Sequence, residues 1–219
     1  KTDRDYKVYG EASIHYFNHP EISIKNIHEF LGDIPIIIIL RNPVEKLISN
    51  WKYVGSDIYP LDLSLEMEEL RKKFGYNSFW LYKDQSYYYN RVKKFLSNFS
   101  KVKILILEEF TKQPNKFLNE CANFLSLKNY DFKIDKVFNE SKENFYFKKK
   151  YIRNYLKNPS TFKYILNLYK ITRLNKKKLF FVEKKSDYKI NKKKIYNYFA
   201  DDIQKVERLL NKDLTIWKY

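Results

Sequence analysis

Ile36-Ile37-Ile38-Ile39-Leu40-Arg41-Asn42-Pro43-Val44-Glu45-Lys46-Leu47-Ile48-Ser49 is the stretch on which the fold turns. A run of isoleucines without polar alternation predicts a strand covered on both faces, as in a parallel α/β sheet. Asn42 is a good N-cap, Pro43 suits the first helical position, and Glu45 three residues after Asn42 completes a capping box. The stretch therefore predicts a strand, a tight turn and a helix over 43–53. Ligands of open α/β sheets gather at the carboxyl end of such a strand. Arg41 stands at that junction, where free N–H groups and the helix dipole favour an anion. A planar guanidinium can hold a phosphate through paired hydrogen bonds. Ser49, eight residues after Arg41, falls near the capped face of the helix, roughly 10 Å along its axis at about 1.5 Å per residue. On local physics alone, an ordinary capped helix with a solvated Arg and a surface Ser stays open as the alternative.

Outward from this unit, residues 6–10 (YKVYG) read as a short strand leading to Glu11-Ala12-Ser13, and residues 20–30 as a helix with Ile24, Ile27 and Leu31 on one face. Residues 53–76 mix a loop with a charged helix over about 65–74. Residues 86–99 form an amphipathic helix with Tyr88, Val92, Phe95, Leu96 and Phe99 on one side. Residues 102–107 (VKILIL) read as a second buried strand ended by Glu108-Glu109, and 114–125 as a helix with Phe117, Leu118, Cys121, Phe124 and Leu125 inward. A Lys-rich helical stretch covers about 161–174. The last helix spans 192–210, with Ile195, Phe199, Ile203, Val206 and Leu210 at helical spacing. The β–helix–β alternation gives an α/β class with a parallel sheet flanked by helices and a helical C-terminal part, in a single domain over 1–219.

The 219 residues suffice for one sizeable core, and 20 Tyr and 17 Phe argue for a folded chain rather than a disordered one. A formal net charge of +17 favours anionic partners. The lysines are dispersed, however, which fits a solvated surface better than a nucleic-acid face, and no nucleic-acid partner is expected. One cysteine, Cys121, excludes an intrachain disulfide and a Cys-based zinc site. His15, His19 and His28 show no HExxH pattern, so no metal is expected. The longest apolar run is far too short to span a membrane. The chain opens on Lys1 and reads as a piece of something longer.

With its Ser eight residues after the Arg, the strand–Arg-Asn-Pro–helix unit resembles the 3′-phosphate-binding motif of sulfotransferases that use 3′-phosphoadenosine-5′-phosphosulfate (PAPS). Other segments resemble that family in order: Gly10-Glu11-Ala12-Ser13 with Tyr16; Ser86-Tyr87-Tyr88 opening a helix before the strand at 102–107; residues 114–127 (PNKFLNECANFLSL); Asn139-Glu140-Ser141-Lys142; and the closing helix with Asp213-Leu214 and Trp217. The resemblance implies a P-loop-kinase-like fold and transfer of a sulfuryl group from PAPS, as co-substrate, to a hydroxyl or amine, with a carbohydrate or small molecule as acceptor. It implies Arg41 and Ser49 as holders of the 3′-phosphate, with Lys142, or Lys184 and Lys185, closing over the donor. The lack of the disulfide loop of Golgi glycan enzymes points to a bacterial or other cytoplasmic setting.

The family opens with a Gly- and Lys-bearing loop that cradles the 5′-phosphosulfate. These residues hold four Gly and no Gly-x-x-Lys-x-Gly cluster. The expectation is a fold lacking its first strand and phosphate loop, inactive alone, with the main base upstream of Lys1. Glu11 is the remaining base candidate, against a structural carboxylate; His15 is a weaker one. Glu108 and Glu109, as neighbours on a strand, point apart and do not form a carboxylate pair. Two alternatives are a basic nucleic-acid-binding module and a nucleotide kinase-like phosphotransferase. The latter needs a Walker-type Asp that Leu107-Glu108 matches poorly.

Overall fold

The computed structural model describes residues 7–54, 60–134 and 190–219. Lys142, Lys184, Lys185 and the helical stretch expected at 161–174 lie outside the described residues. The chain divides into two compact units. One comprises Lys1–Lys46, Asp84–Phe138 and Lys192–Tyr219, and the other Leu47–Lys83 and Asn139–Asn191.

At the centre of the first unit are two parallel strands, β1 (Ile36–Leu40) and β2 (Val102–Ile106), with Ile36 opposite Val102 and Leu40 opposite Ile106. A parallel pair needs a long crossover, and residues 41–101 supply it. Leu40, Leu105 and Ile106 are each 1% exposed, so the apolar run does form core. Both faces of the pair are buried at Leu105 and Ile106, as expected for a covered strand, and Ile39 is an exception at 52% exposed. Alternate residues of a strand face opposite sides: Ile38 and Leu40 share one face with Ile106, while Ile39 shares the other with its register partner Leu105, so that second face is buried at β2 and exposed at Ile39.

Around this pair stand helices α1 (Ile14–Asn18) and α2 (Pro20–Leu31). Residues 7–13 form no strand, contrary to the expectation for 6–10. Instead the Ser13 hydroxyl accepts from the His15 amide and caps α1, the use to which short hydroxyl side chains are best suited. Helix α3 (Pro43–Val54) follows β1 as its cap predicts, and the division between the units falls within it, after Lys46. Helix α6 (Tyr89–Asn98) buries Val92 and Phe95, as its periodicity predicts, while Leu96 sits at the margin, 36% exposed. Its start lies three residues later than the pattern suggests, because residues 84–86 form a 3₁₀ turn.

After β2 the chain turns directly into α7 (Leu107–Lys112) and then α8 (Pro114–Phe124), which buries Phe117 and Ala122 and leaves Cys121 half-buried. The last helix, here α9 (Lys192–Leu210), packs on α6 and buries Ile195, Phe199, Ile203 and Val206. Asp202 of α9 caps the start of α6, its carboxylate accepting from the Tyr88 amide at 2.7 Å and the Tyr89 amide at 3.2 Å. Burial raises the Asp202 pKa above the ordinary carboxylate value even though those two amides favour its charge.

In the second unit the charged segment at 65–74 is two short helices, α4 (Leu61–Glu66) and α5 (Glu68–Lys73), broken at Met67. Arg71 is buried there. Its Nη1 donates to the carbonyls of Ser64 at 3.2 Å and Trp80 at 3.1 Å, and its guanidinium lies over the Trp80 and Tyr82 rings. Glu68, also buried, accepts from the Lys83 amide. Burial pushes the Tyr82 hydroxyl up to about 12.

Candidate functional site

The polar groups of the first unit gather at the carboxyl end of the parallel pair, around the turn Arg41-Asn42. Asn42 caps α3 as read from sequence: its Oδ1 accepts from the Val44 amide at 3.0 Å and the Glu45 amide at 3.4 Å. The reciprocal half of the capping box does not form. The Asn42 amide goes to Glu108 Oε1 at 2.8 Å instead, and Glu45 turns to Tyr219 and Lys192, with Oε1 2.6 Å from each donor. Burial pushes the Glu45 carboxyl up, but those two donors and the Lys192 and Arg41 charges outweigh it, so its pKa falls below the ordinary value.

Glu108 holds a second donor, accepting from Trp217 Nε1 on Oε2 at 3.0 Å. Trp217 and Tyr219 in turn receive the Asn42 amide group, on the Trp217 carbonyl and the Tyr219 hydroxyl, each at 3.4 Å. The segment after α9 thus lies against the turn. Tyr88 completes the support: wholly buried, it donates its hydroxyl to the Arg41 carbonyl at 2.8 Å, and burial raises its pKa. Since Glu108 belongs to a helix rather than a strand end, Glu108 and Glu109 do part company: Glu109 pairs with Lys212 at 2.8 Å.

Within this frame the Arg41 backbone is fixed and its side chain is not engaged. Arg41 is half-buried, and its guanidinium makes no hydrogen bond or ion pair to any described residue. Ser49 stands in the second turn of α3, half-buried, its hydroxyl likewise without a hydrogen bond to a described residue. Glu11 is exposed and takes a hydrogen bond from the Tyr16 hydroxyl, whose pKa it raises. His15 is exposed on α1.

Two residues that sequence reasoning passed over also belong to this region. Glu108 gave no signal beyond standing after a strand. Lys46 lies in the first turn of α3, where the helix dipole disfavours a cation, and that misplacement was the available sign. Its ammonium donates to the Gln85 carbonyl at 2.5 Å and lies 5.0 Å from the Tyr88 ring centre and 5.9 Å from that of Phe17. Burial, helped by the charge of Arg91, lowers the Lys46 pKa from 10.5 to about 7. Among the described residues no group of His, Cys, Asp and Glu is placed to hold a metal ion, and no helix is long and apolar enough to cross a membrane.

The fold of this α/β unit is similar to that of a solved sulfotransferase. The structure in question is a sulfotransferase from Alicyclobacillus acidocaldarius, similar to this chain at 24% identity with a TM-score of 0.64. The match covers 95% of this chain and 66% of that one, so the chain spans a little under two thirds of its structural neighbour. No family model matches the chain, and no curated protein matches it by sequence.

Proposed function

We propose that the chain is the nucleotide-binding part of a sulfotransferase, which moves the sulfuryl group of PAPS to a hydroxyl or amine of a carbohydrate or small-molecule acceptor. One observation carries the reading. Arg41, at the end of a parallel strand and the start of a capped helix, has its backbone held by Tyr88 and its guanidinium left without a partner among the described residues. A half-buried guanidinium without a partner is costly, and an incoming phosphate removes that cost through charge-assisted hydrogen bonds. In this reading Arg41 and Ser49 hold the 3′-phosphate of the donor, and Lys142 adds a further contact.

The 3′-phosphate is remote from the reacting sulfur. Its binding energy therefore serves orientation, and selection of this donor over nucleotides lacking a 3′-phosphate. In the transfer itself a base takes the acceptor's proton, the new bond to sulfur forms as the bond between sulfur and the 5′-phosphate oxygen breaks, and adenosine 3′,5′-bisphosphate leaves. Glu11, exposed and bonded to Tyr16, fits a structural carboxylate better than that base. The 219 residues hold no Gly-x-x-Lys-x-Gly cluster to cradle the 5′-phosphosulfate. On that basis the isolated chain binds the bisphosphate and transfers no sulfuryl group.

Calorimetry tests the reading. Adenosine 3′,5′-bisphosphate binds the wild-type chain more tightly than 5′-AMP does, and Arg41→Ala removes the preference at a cost of about 2–3 kcal/mol, the range of a charged hydrogen bond. Equal binding of the two nucleotides by the wild-type chain refutes it.

A further inference from the structure

Lys46 forms no ion pair with any described residue. The carboxylates on its own helix and on the elements that carry its contacts bond to other groups. Asp84, from the 3₁₀ turn that carries Gln85, pairs with Arg91 of α6 at 2.6 Å. Asp202, from α9, takes the Tyr88 and Tyr89 amides. On its own helix Glu45 is taken by Lys192 and Tyr219. The ammonium is left with one neutral carbonyl and two aromatic faces, in a helical turn whose dipole repels it. Ring faces attract a cation, but they do not replace the counter-charge that a buried ammonium requires.

The Tyr88 ring joins this ammonium to the candidate donor site. Lys46 Nζ lies 5.0 Å from its centre, while the hydroxyl of that same ring donates to the Arg41 carbonyl at 2.8 Å. The Arg41 carbonyl and the Lys46 ammonium thus meet one aromatic side chain, and neither Arg41 nor Lys46 has a hydrogen-bonded carboxylate among the described residues.

We propose that Lys46 is an anion-binding residue of the donor site, leaving the Gln85 carbonyl to hold a phosphate oxygen of the bound nucleotide together with Arg41. The inference rests on the donor reading above and adds to it a residue and a linkage. An anion supplies the counter-charge that the enclosure lacks, so the bound state favours the protonated amine more than the free state does. The free amine titrates at about 7. At pH 8 most of it is neutral before binding, and the nucleotide draws a proton from the buffer onto Nζ.

Titrating the chain with adenosine 3′,5′-bisphosphate at pH 8, in two buffers of different ionisation enthalpy, reads that proton directly. The wild-type chain takes up close to one proton per nucleotide. Lys46→Met binds at least tenfold more weakly and takes up none. Lys46→Arg, which keeps the charge and does not titrate in this range, binds within a few-fold of wild type and also takes up none. A purely structural lysine gives no uptake in the wild type. Wild-type chain that prefers the bisphosphate over 5′-AMP yet takes up no proton overturns the assignment of Lys46 and leaves the donor site standing. So does uptake that persists unchanged in Lys46→Arg. Wild-type chain without that preference overturns the donor reading itself.

Discussion

Glu108 joins three parts of the chain through one carboxylate, and Glu108→Gln isolates that function with almost no change of shape. In the wild-type chain Oε1 accepts from the Asn42 amide at 2.8 Å and Oε2 from Trp217 Nε1 at 3.0 Å. Asn42 is 5% exposed and Trp217 fully buried, so water is poorly placed to serve either donor in its stead. A glutamine has one carbonyl oxygen and one NH₂ group. Whichever donor meets the oxygen, the other meets a second donor. A hydrogen bond to a charged acceptor is worth about 1.5–3 kcal/mol, and an orphaned buried donor costs about 1–3 kcal/mol. Because these are two descriptions of overlapping losses, the expected cost is about 2–4 kcal/mol rather than their sum. For a chain of this size each kcal/mol moves the melting temperature by about 2–4 °C, so a fall of roughly 5–15 °C is expected. The assay is urea unfolding, read as a lower midpoint at unchanged slope. Trp217→Phe, alone and combined with Glu108→Gln, supplies the cycle. If the indole is the shared partner, the double variant costs about 1 kcal/mol or more less than the sum of the singles. A cost below about 0.5 kcal/mol for Glu108→Gln, or additive behaviour in the cycle, refutes the view that this carboxylate fastens the turn.

Two neighbours in β1 separate by mutation: Leu40→Ala costs about 2–5 kcal/mol, as for other buried leucines, whereas Ile39→Ala, at a side chain 52% exposed, costs less than about 1 kcal/mol. Equal costs, measured by urea midpoints, contradict the exposure of Ile39. Lys46 makes stability depend on pH. Its folded pKa of about 7 lies below its ordinary value of 10.5, so between the two the unfolded chain binds more protons and stability rises with pH. Burial of the charge costs stability in full below about pH 7, and the cost fades as pH climbs toward 10.5. At about 1.4 kcal/mol per unit the wild-type chain gains on the order of a few kcal/mol relative to Lys46→Met over that window. A difference between the two chains that stays flat from pH 7 to 10 shows the ammonium to be solvated.

Local signals in the sequence carried a good part of this architecture. Asn42 and Pro43 placed the start of α3 because capping is a local hydrogen-bond problem, soluble within four residues. Ile195, Phe199, Ile203 and Val206 placed α9 because burial of one face repeats with the helical period. Three things were not legible. The run at 36–40 showed that the strand is apolar, but a continuous run cannot tell which of its residues is left exposed, and Ile39 is. Residues 6–10 have strand composition, yet a strand exists only by pairing, and no partner is supplied to residues 7–13 among the described residues. Asn42, Glu108 and Trp217 stand far apart in sequence and converge only in the fold; no spacing rule marks such a meeting. The same holds for the missing half of the capping box, where Glu45 had a local option and longer-range partners outcompeted it.

The turn also presents an electrostatic puzzle whose resolution bears on function. An anion site is expected to avoid carboxylates, yet Glu45 and Glu108 both stand beside Asn42. What matters is how each charge is answered. Glu108 accepts two N–H donors, Glu45 is answered by Lys192 and the Tyr219 hydroxyl, Asp84 by Arg91, and Asp202 by two amides. Each acid is spent on holding a piece of backbone or a tail residue. The cations divide differently: Arg91 and Lys192 form ion pairs with carboxylates, while Arg41 and Lys46 form no ion pair with a described residue. Neutral donors fix a carboxylate in place without removing its charge, so the pull on an anion in the proposed site comes from the Arg41 and Lys46 cations and the helix N-terminus working against those acids. In the proposed donor site the acids therefore hold the turn in place, and Arg41 and Lys46 are the groups that would draw the anion to it.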